Sequence, residues 1–187
     1  LAAFAHWLLQ TGHDLLLYPG EVFQDGPVID DLRALLATQG VALADPRVMA
    51  PPITTVDELM LHLAAADLVV ASRFHGVLLP QLLNIPVLAL SYHPKVEHLM
   101  ADMGQRTYCL PIDTFRVEEL KERFSAMSSD RQAIKALMAA RTTAYRTALE
   151  EQYRRLFELA IAPHRQVKER DACSSSEAER FSARAMP

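Results

Sequence analysis

The sequence predicts an α/β fold, a parallel sheet with helices on both faces. Three observations carry this. Short apolar runs alternate with amphipathic helical patterns along most of the chain. The runs at residues 68–71 and 86–90 are continuously apolar, as in strands covered on both faces. Turn residues (Pro19-Gly20, Gly40, Pro51-Pro52 and Gly104) punctuate the runs.

The elements follow in order. Leu1, Phe4, Leu8 and Leu9 recur at helical spacing, and Gly12 reads as the stop. Residues 15–18 are a short apolar strand ending at Pro19-Gly20. Pro27 opens a helix with Val28, Leu32, Leu35 and Leu36 on one face, closed by Gly40. A strand is expected at 47–50, before Pro51-Pro52. Thr55-Val56-Asp57-Glu58 is a capping box for a helix that presents Leu59, Met60 and Leu63. Strand 68–71, helix 77–83 and strand 86–90 come next, then a helix from Pro94 to Gly104 and a strand at 107–110.

The last third differs. Val117, Leu120 and Phe124 mark one helix. Ile134, Leu137, Met138, Tyr145, Leu149, Tyr153 and Leu156 mark a longer one. About 30 helical residues span about 45 Å, more than a small sheet domain covers, so part of this helix is expected to pack on something else. After Pro163 the chain is polar and aperiodic and reads as a disordered tail. The expected organisation is a domain at 1–128, a long terminal helix at 129–162 and the tail at 163–187. The chain opens at Leu1 within a helical pattern, which reads as a fragment lacking an N-terminal portion.

Composition excludes several classes of function. Half of the 187 residues are hydrophobic and the net charge is −4, which argues against nucleic-acid binding through overall charge. Cys109 and Cys173 lack metal or disulfide spacing, and a reducing cytoplasm suits them. No apolar run approaches the ~18 residues of a membrane span, and no signal peptide is visible. The histidines show no ligand-like spacing, so no metal role is assigned.

The chemistry concentrates in Ser72-Arg73-Phe74-His75-Gly76. This run sits where a buried strand turns into a helix, the edge at which α/β sheets bind ligands. The helix start offers N–H groups and a positive dipole end to an anion. Arg73 adds a planar fork for phosphate or carboxylate, and His75 a proton donor or acceptor near neutral pH. Gly76 permits close approach of a ligand or backbone. Ser91-Tyr92-His93-Pro94-Lys95 follows the next strand at the same edge, with Ser91 and Lys95 as candidate ligand contacts. Tyr18-Pro19-Gly20-Glu21 follows the first strand, where Gly20 allows close approach and Glu21 could bind a hydroxyl or take a proton. Each also has a plain reading, as a surface ion pair, an exposed cation or a tight turn. Pro80 removes a helical N–H, leaving the Gly76 carbonyl without its usual donor.

These residues resemble the polysaccharide pyruvyl transferase family. The resemblance rests on the run from Ala66-Asp67-Leu68 through Ser72-Arg73-Phe74-His75-Gly76, on Ile85-Pro86-Val87-Leu88-Ala89-Leu90-Ser91-Tyr92, and on Pro94-Lys95-Val96. The Pro19-Gly20-Glu21 turn and the long terminal helix also suit it. His93, where an acidic residue is common, and Pro80 depart from the pattern. The resemblance implies a Rossmann-like domain, the C-terminal half of a glycosyltransferase-B-like pair whose N-terminal domain is absent, with the last helix returning toward that domain. It implies transfer of a pyruvyl group from phosphoenolpyruvate to two hydroxyls of a sugar or lipid-linked saccharide, in cell-envelope or exopolysaccharide synthesis. No cofactor or metal is implied. Arg73 and His75 match the family's Ser-Arg-x-His-Gly motif as anion clamp and general acid/base. Ser72, Gly76, Ser91, Lys95, Gly20 and Glu21 are expected to assist binding. The expected setting is cytoplasmic, with peripheral association at the inner membrane face as an option. The fragment alone is expected to be inactive. Two other readings stay open, a glycosyltransferase or sugar-nucleotide epimerase domain of the same architecture, and an inactive interaction module.

Overall fold

The computed structural model describes residues 1–21 and 25–182, with side chains through residue 160. The order is α1 (Ala2–Gln10), β1 (Leu15–Leu16), α2 (Gly26–Thr38), β2 (Val48–Met49), α3 (Val56–Ala64), β3 (Val69–Ala71), α4 (Phe74–Leu82), β4 (Val87–Ser91) and α5 (Pro94–Asp102), followed by a 3-10 turn (Arg106–Tyr108), β5 (Cys109–Pro111), α6 (Val117–Ser129) and α7 (Arg131–Ser182). The fold is α/β, and every strand pair is parallel.

The strands form two sheets rather than one. β3, β4 and β5 are neighbours in that order, with Val69 opposite Val87 and Ala89 opposite Cys109. The parallel pairing of β3 with β4 is as expected. A single parallel sheet would also contain the first strand, but it pairs with β2 in a sheet of its own. Its N–H groups at Leu15 and Leu17 donate to the carbonyls of Arg47 and Met49, and Pro19-Gly20 ends it before it can lengthen.

β4 is the centre. All five of its residues are buried, and successive residues point to opposite faces, so both faces are covered. α4, α5 and α6 each pack against it. The buried Gln105 Oε1 accepts the Val87 N–H at 2.9 Å and fixes where β4 starts. α1 joins the core through Phe4, which meets Phe124 of α6 edge-on at 5.6 Å. The capping box forms as read. The Thr55 hydroxyl accepts the Glu58 N–H at 3.2 Å, and the Glu58 carboxylate takes the Thr55 N–H.

The expected face of α2 is only partly buried. Leu36 is covered, while Val28 and Leu35 are exposed. The element α2 packs against is α1, and one neighbouring helix covers only part of the stripe.

Gly12, Gly40 and Gly104 all have positive φ just past a helix, the left-handed conformation that favours glycine. At Gly104 (φ +73°) a Cβ would also stand 2.5 Å from Leu137 Cδ2. Gly104→Ala should therefore cost about 1–2 kcal/mol, mostly from the backbone, because the Leu137 tip can move. Urea unfolding of the two proteins measures it.

By contacts the chain divides into Leu1–Thr142 and Thr143–Pro187. The first unit includes the start of α7, because Ile134 and Met138 belong to its core. In the second, Tyr145, Leu149, Tyr153 and Leu156 are each at least half exposed. α7 runs on to Ser182, past the end expected at 162, and residues 183–187 lie outside the described residues. Among the described residues no helix is long and apolar enough to cross a membrane.

Candidate functional site at the strand ends

The site forms where β1, β3 and β4 stop. Ala71 and Ala89 are paired, so Arg73 and Ser91 each lie two residues past the same register point. The segments bearing Arg73 and Lys95 thus leave one edge of the sheet. The loop after β1 reaches that edge through side chains.

Arg73 occupies the N-cap position of α4 with extended backbone. Its guanidinium meets Asp25 side-on, Nε donating to Oδ2 at 3.1 Å and Nη2 to Oδ1 at 2.8 Å. Glu21 Oε2 stands 3.9 Å from Nη2. Gly20 lies beneath the pair, where a Cβ would be 2.7 Å from Arg73 Cδ and 3.2 Å from Asp25 Oδ2. The close approach read at Gly20 is thus made by Arg73. Burial would raise the Asp25 carboxyl, but the Arg73 hydrogen bond, the Glu21 N–H and the arginine charge together hold it below the usual range. The hydrogen bond to Asp25 likewise reinforces the positive charge on Arg73.

His75 is exposed on the first turn of α4, its ring edge-on to Phe74 at 5.6 Å. Ser72 is half-buried between β3 and Arg73. Gly76 is buried, and a Cβ there would press on Ala71 Cβ at 3.3 Å. Its absent side chain therefore admits protein at this position.

Pro80 sits inside α4, and the Gly76 carbonyl it leaves unserved faces the Tyr18 hydroxyl, which donates over a long 3.5 Å. Burial pushes the Tyr18 phenol up to about 12. The folded state thus holds this proton more tightly than the unfolded chain, whose tyrosine releases it near pH 10. The stability this provides is full below about pH 10 and is lost as the pH rises toward about 12. Denaturant titrations from about pH 8 to 11 should show Tyr18→Phe losing less stability with alkalinity than the wild type.

At the end of β4 the buried Ser91 hydroxyl faces the His93 carbonyl at 3.1 Å and Glu97 Oε1 at 3.3 Å, so it holds its own turn. His93 Nδ1 accepts the Lys95 N–H at 3.2 Å and caps α5, a task an acidic side chain also performs. Lys95 is exposed.

The structure thus gathers Gly20, Glu21 and Arg73 within contact, with His75 and Ser72 adjacent in the chain. Ser91 and Lys95 stand on the neighbouring strand end. Two residues escaped the sequence reading as site members. Asp25 reads as an ordinary helix cap before Gly26-Pro27 and lies 48 positions from its partner. The sequence alone assigns Tyr18 no role, although Pro80 signals a carbonyl in need of a donor. Among the described residues no group of three or more His, Cys, Asp or Glu side chains is placed to hold a metal ion.

An arginine fork and an exposed histidine at a helix start can bind an anion and move a proton beside it. The family model for polysaccharide pyruvyl transferases matches residues 1–94, which include every candidate site residue except Lys95. No curated protein and no solved structure matches the chain.

Proposed function

Since the chain belongs to the polysaccharide pyruvyl transferase family, we propose that its Arg73–His75 junction binds phosphoenolpyruvate and passes the pyruvyl carbons to a saccharide. The observation that carries this reading is the arginine fork at the strand end with an exposed histidine two residues on. Phosphoenolpyruvate bears a phosphate and a carboxylate, and a planar fork beside helix-start N–H groups suits either.

In the proposed reaction the methylene carbon of the donor gains a proton and becomes a methyl group. The neighbouring carbon, now oxocarbenium-like, forms bonds to two sugar oxygens and loses its bond to the phosphate oxygen. Of the two hydroxyl protons released, one balances the proton on carbon and the other leaves with phosphate. His75 is the group that delivers and collects protons, and Arg73 holds the anion. Ser72 and Gly76 shape the helix start, and Gly20 admits the Arg73 side chain. Glu21 stands across from the fork, while Ser91 at the end of β4 and Lys95 in the first turn of α5 assist from the neighbouring strand end. The scheme uses no cofactor beyond the donor itself.

The proposal extends to architecture. The described unit is a Rossmann-like half of a glycosyltransferase-B-like enzyme, and a second domain completes the cleft and supplies most of the acceptor surface. The exposed strip Tyr145, Leu149, Tyr153 and Leu156 on α7 is a surface for that domain. Without it the described unit has no transferase activity. The acceptor is a sugar or lipid-linked saccharide of a cell-surface polysaccharide, met in the cytoplasm or at the inner membrane face.

Titration calorimetry of the full-length enzyme tests the donor. Phosphoenolpyruvate should bind, and a nucleoside diphosphate sugar should not displace it. Binding of the nucleotide sugar alone would support a glycosyltransferase or epimerase instead.

A further inference from the structure

We propose that Asp25 is the positioning residue for Arg73, holding the guanidinium plane ready for the donor anion. This rests on the reading of Arg73 as the anion clamp and adds a residue that the motif does not contain.

Three independent features of the fold converge on it. Asp25 engages Nε and Nη2 with both carboxylate oxygens, at 3.1 and 2.8 Å. This two-bond geometry fixes orientation as well as distance, which a single contact to a long side chain does not.

Second, Asp25 stands at the N-cap of α2, where aspartate ordinarily accepts a helix N–H, yet its side chain makes no capping bond. Its carboxylate turns back to Arg73 and to the Glu21 N–H, at 2.8 Å. A residue type suited to the helix is thus committed to the loop between β1 and α2.

Third, the chain leaves room for this pair. Any side chain at Gly20 would collide with Arg73 Cδ at 2.7 Å and crowd Asp25 Oδ2 at 3.2 Å. The Arg73 side chain is about one-third exposed, so without a partner it would sample many rotamers, and ordering it would oppose anion binding.

A competing effect has the opposite sign. Asp25 and Glu21 both place negative charge beside Arg73, and charge alone would repel an anion. If repulsion dominates, removing Asp25 tightens binding. If positioning dominates, removing it weakens binding, and only while Arg73 is present.

A double-mutant cycle on the full-length enzyme decides this, with phosphoenolpyruvate binding read by titration calorimetry. Asp25→Ala should raise the Kd about tenfold, within the range for coupled neighbours, and should change nothing further in the Arg73→Ala background. Asp25→Asn keeps the shape and one acceptor, so it should fall between, and it serves if the alanine variant does not fold. Tighter or unchanged binding in Asp25→Ala or Asp25→Asn, with Arg73→Ala still weak, overturns the positioning role and leaves the clamp standing. An equal loss with and without Arg73 also overturns it, since Asp25 would then act by another route. Unchanged binding in Arg73→Ala removes the clamp itself, and the positioning role with it.

Discussion

Replacing His75 with alanine should lower pyruvyl transfer by about 10²–10⁴-fold, the usual loss on removing a general acid or base, while the fold survives. The fold should survive because His75 is exposed and meets only the edge of Phe74 among ring contacts in the described residues. No core cavity forms, and α4 keeps Val77, Pro80 and Gln81 in place. His75→Gln separates chemistry from contact. Glutamine keeps hydrogen bonding to an anion but cannot exchange a proton at neutral pH, so turnover should stay low. Steady-state rates of the three proteins measure both effects. Recovery of most activity by glutamine would reduce His75 to a phosphate contact.

The second large effect is on binding. Arg73→Ala should weaken phosphoenolpyruvate binding by about 1.5–3 kcal/mol, the worth of a hydrogen bond to a charged group. This is roughly a 10- to 150-fold rise in Kd. Arg73→Lys should recover only part of it. Lysine restores the charge but not the planar edge that Asp25 grips through two bonds, so its ammonium is oriented less well. Calorimetric titrations that give one affinity for all three proteins would remove Arg73 from the site.

Much of the fold is legible in the residues because local signals agree there. The uninterrupted apolar run at 86–90 announces β4, which is buried on both faces. Thr55 and Glu58 announce the start of α3, and the glycines after α1, α2 and α5 mark turns with positive φ. What escapes is non-local. No periodicity says that β1 bonds to β2 and leaves β3 to another sheet, because both strands are apolar and short. The α2 stripe misleads because a hydrophobic face reports what a helix could bury, not the width of what lies beneath it. The end of α7 is missed for a related reason. Residues 166–180 lack an apolar period but contain lysine, glutamate, arginine and alanine, which favour helix without packing.

The same division runs through the site. Arg73 and His75 are visible because a strand, a motif and a helix start coincide within a few residues. Asp25 is invisible because its significance lies in a side chain 48 positions away and in a capping bond it does not make. Tyr18 lies between these cases. Pro80 declares that the Gly76 carbonyl lacks a helical donor, but only the fold shows which hydroxyl faces it.

The most direct test of the central claim follows the donor carbons. The full-length enzyme is supplied with phosphoenolpyruvate labelled with ¹³C at the methylene and adjacent carbons, together with polysaccharide or lipid-linked saccharide acceptors. Nuclear magnetic resonance of the product should show a labelled methyl carbon joined to a labelled ketal carbon on the saccharide, with an equimolar release of inorganic phosphate. Phosphorylated saccharide, or transfer of a sugar from a nucleotide donor with the phosphoenolpyruvate label untouched, would contradict it.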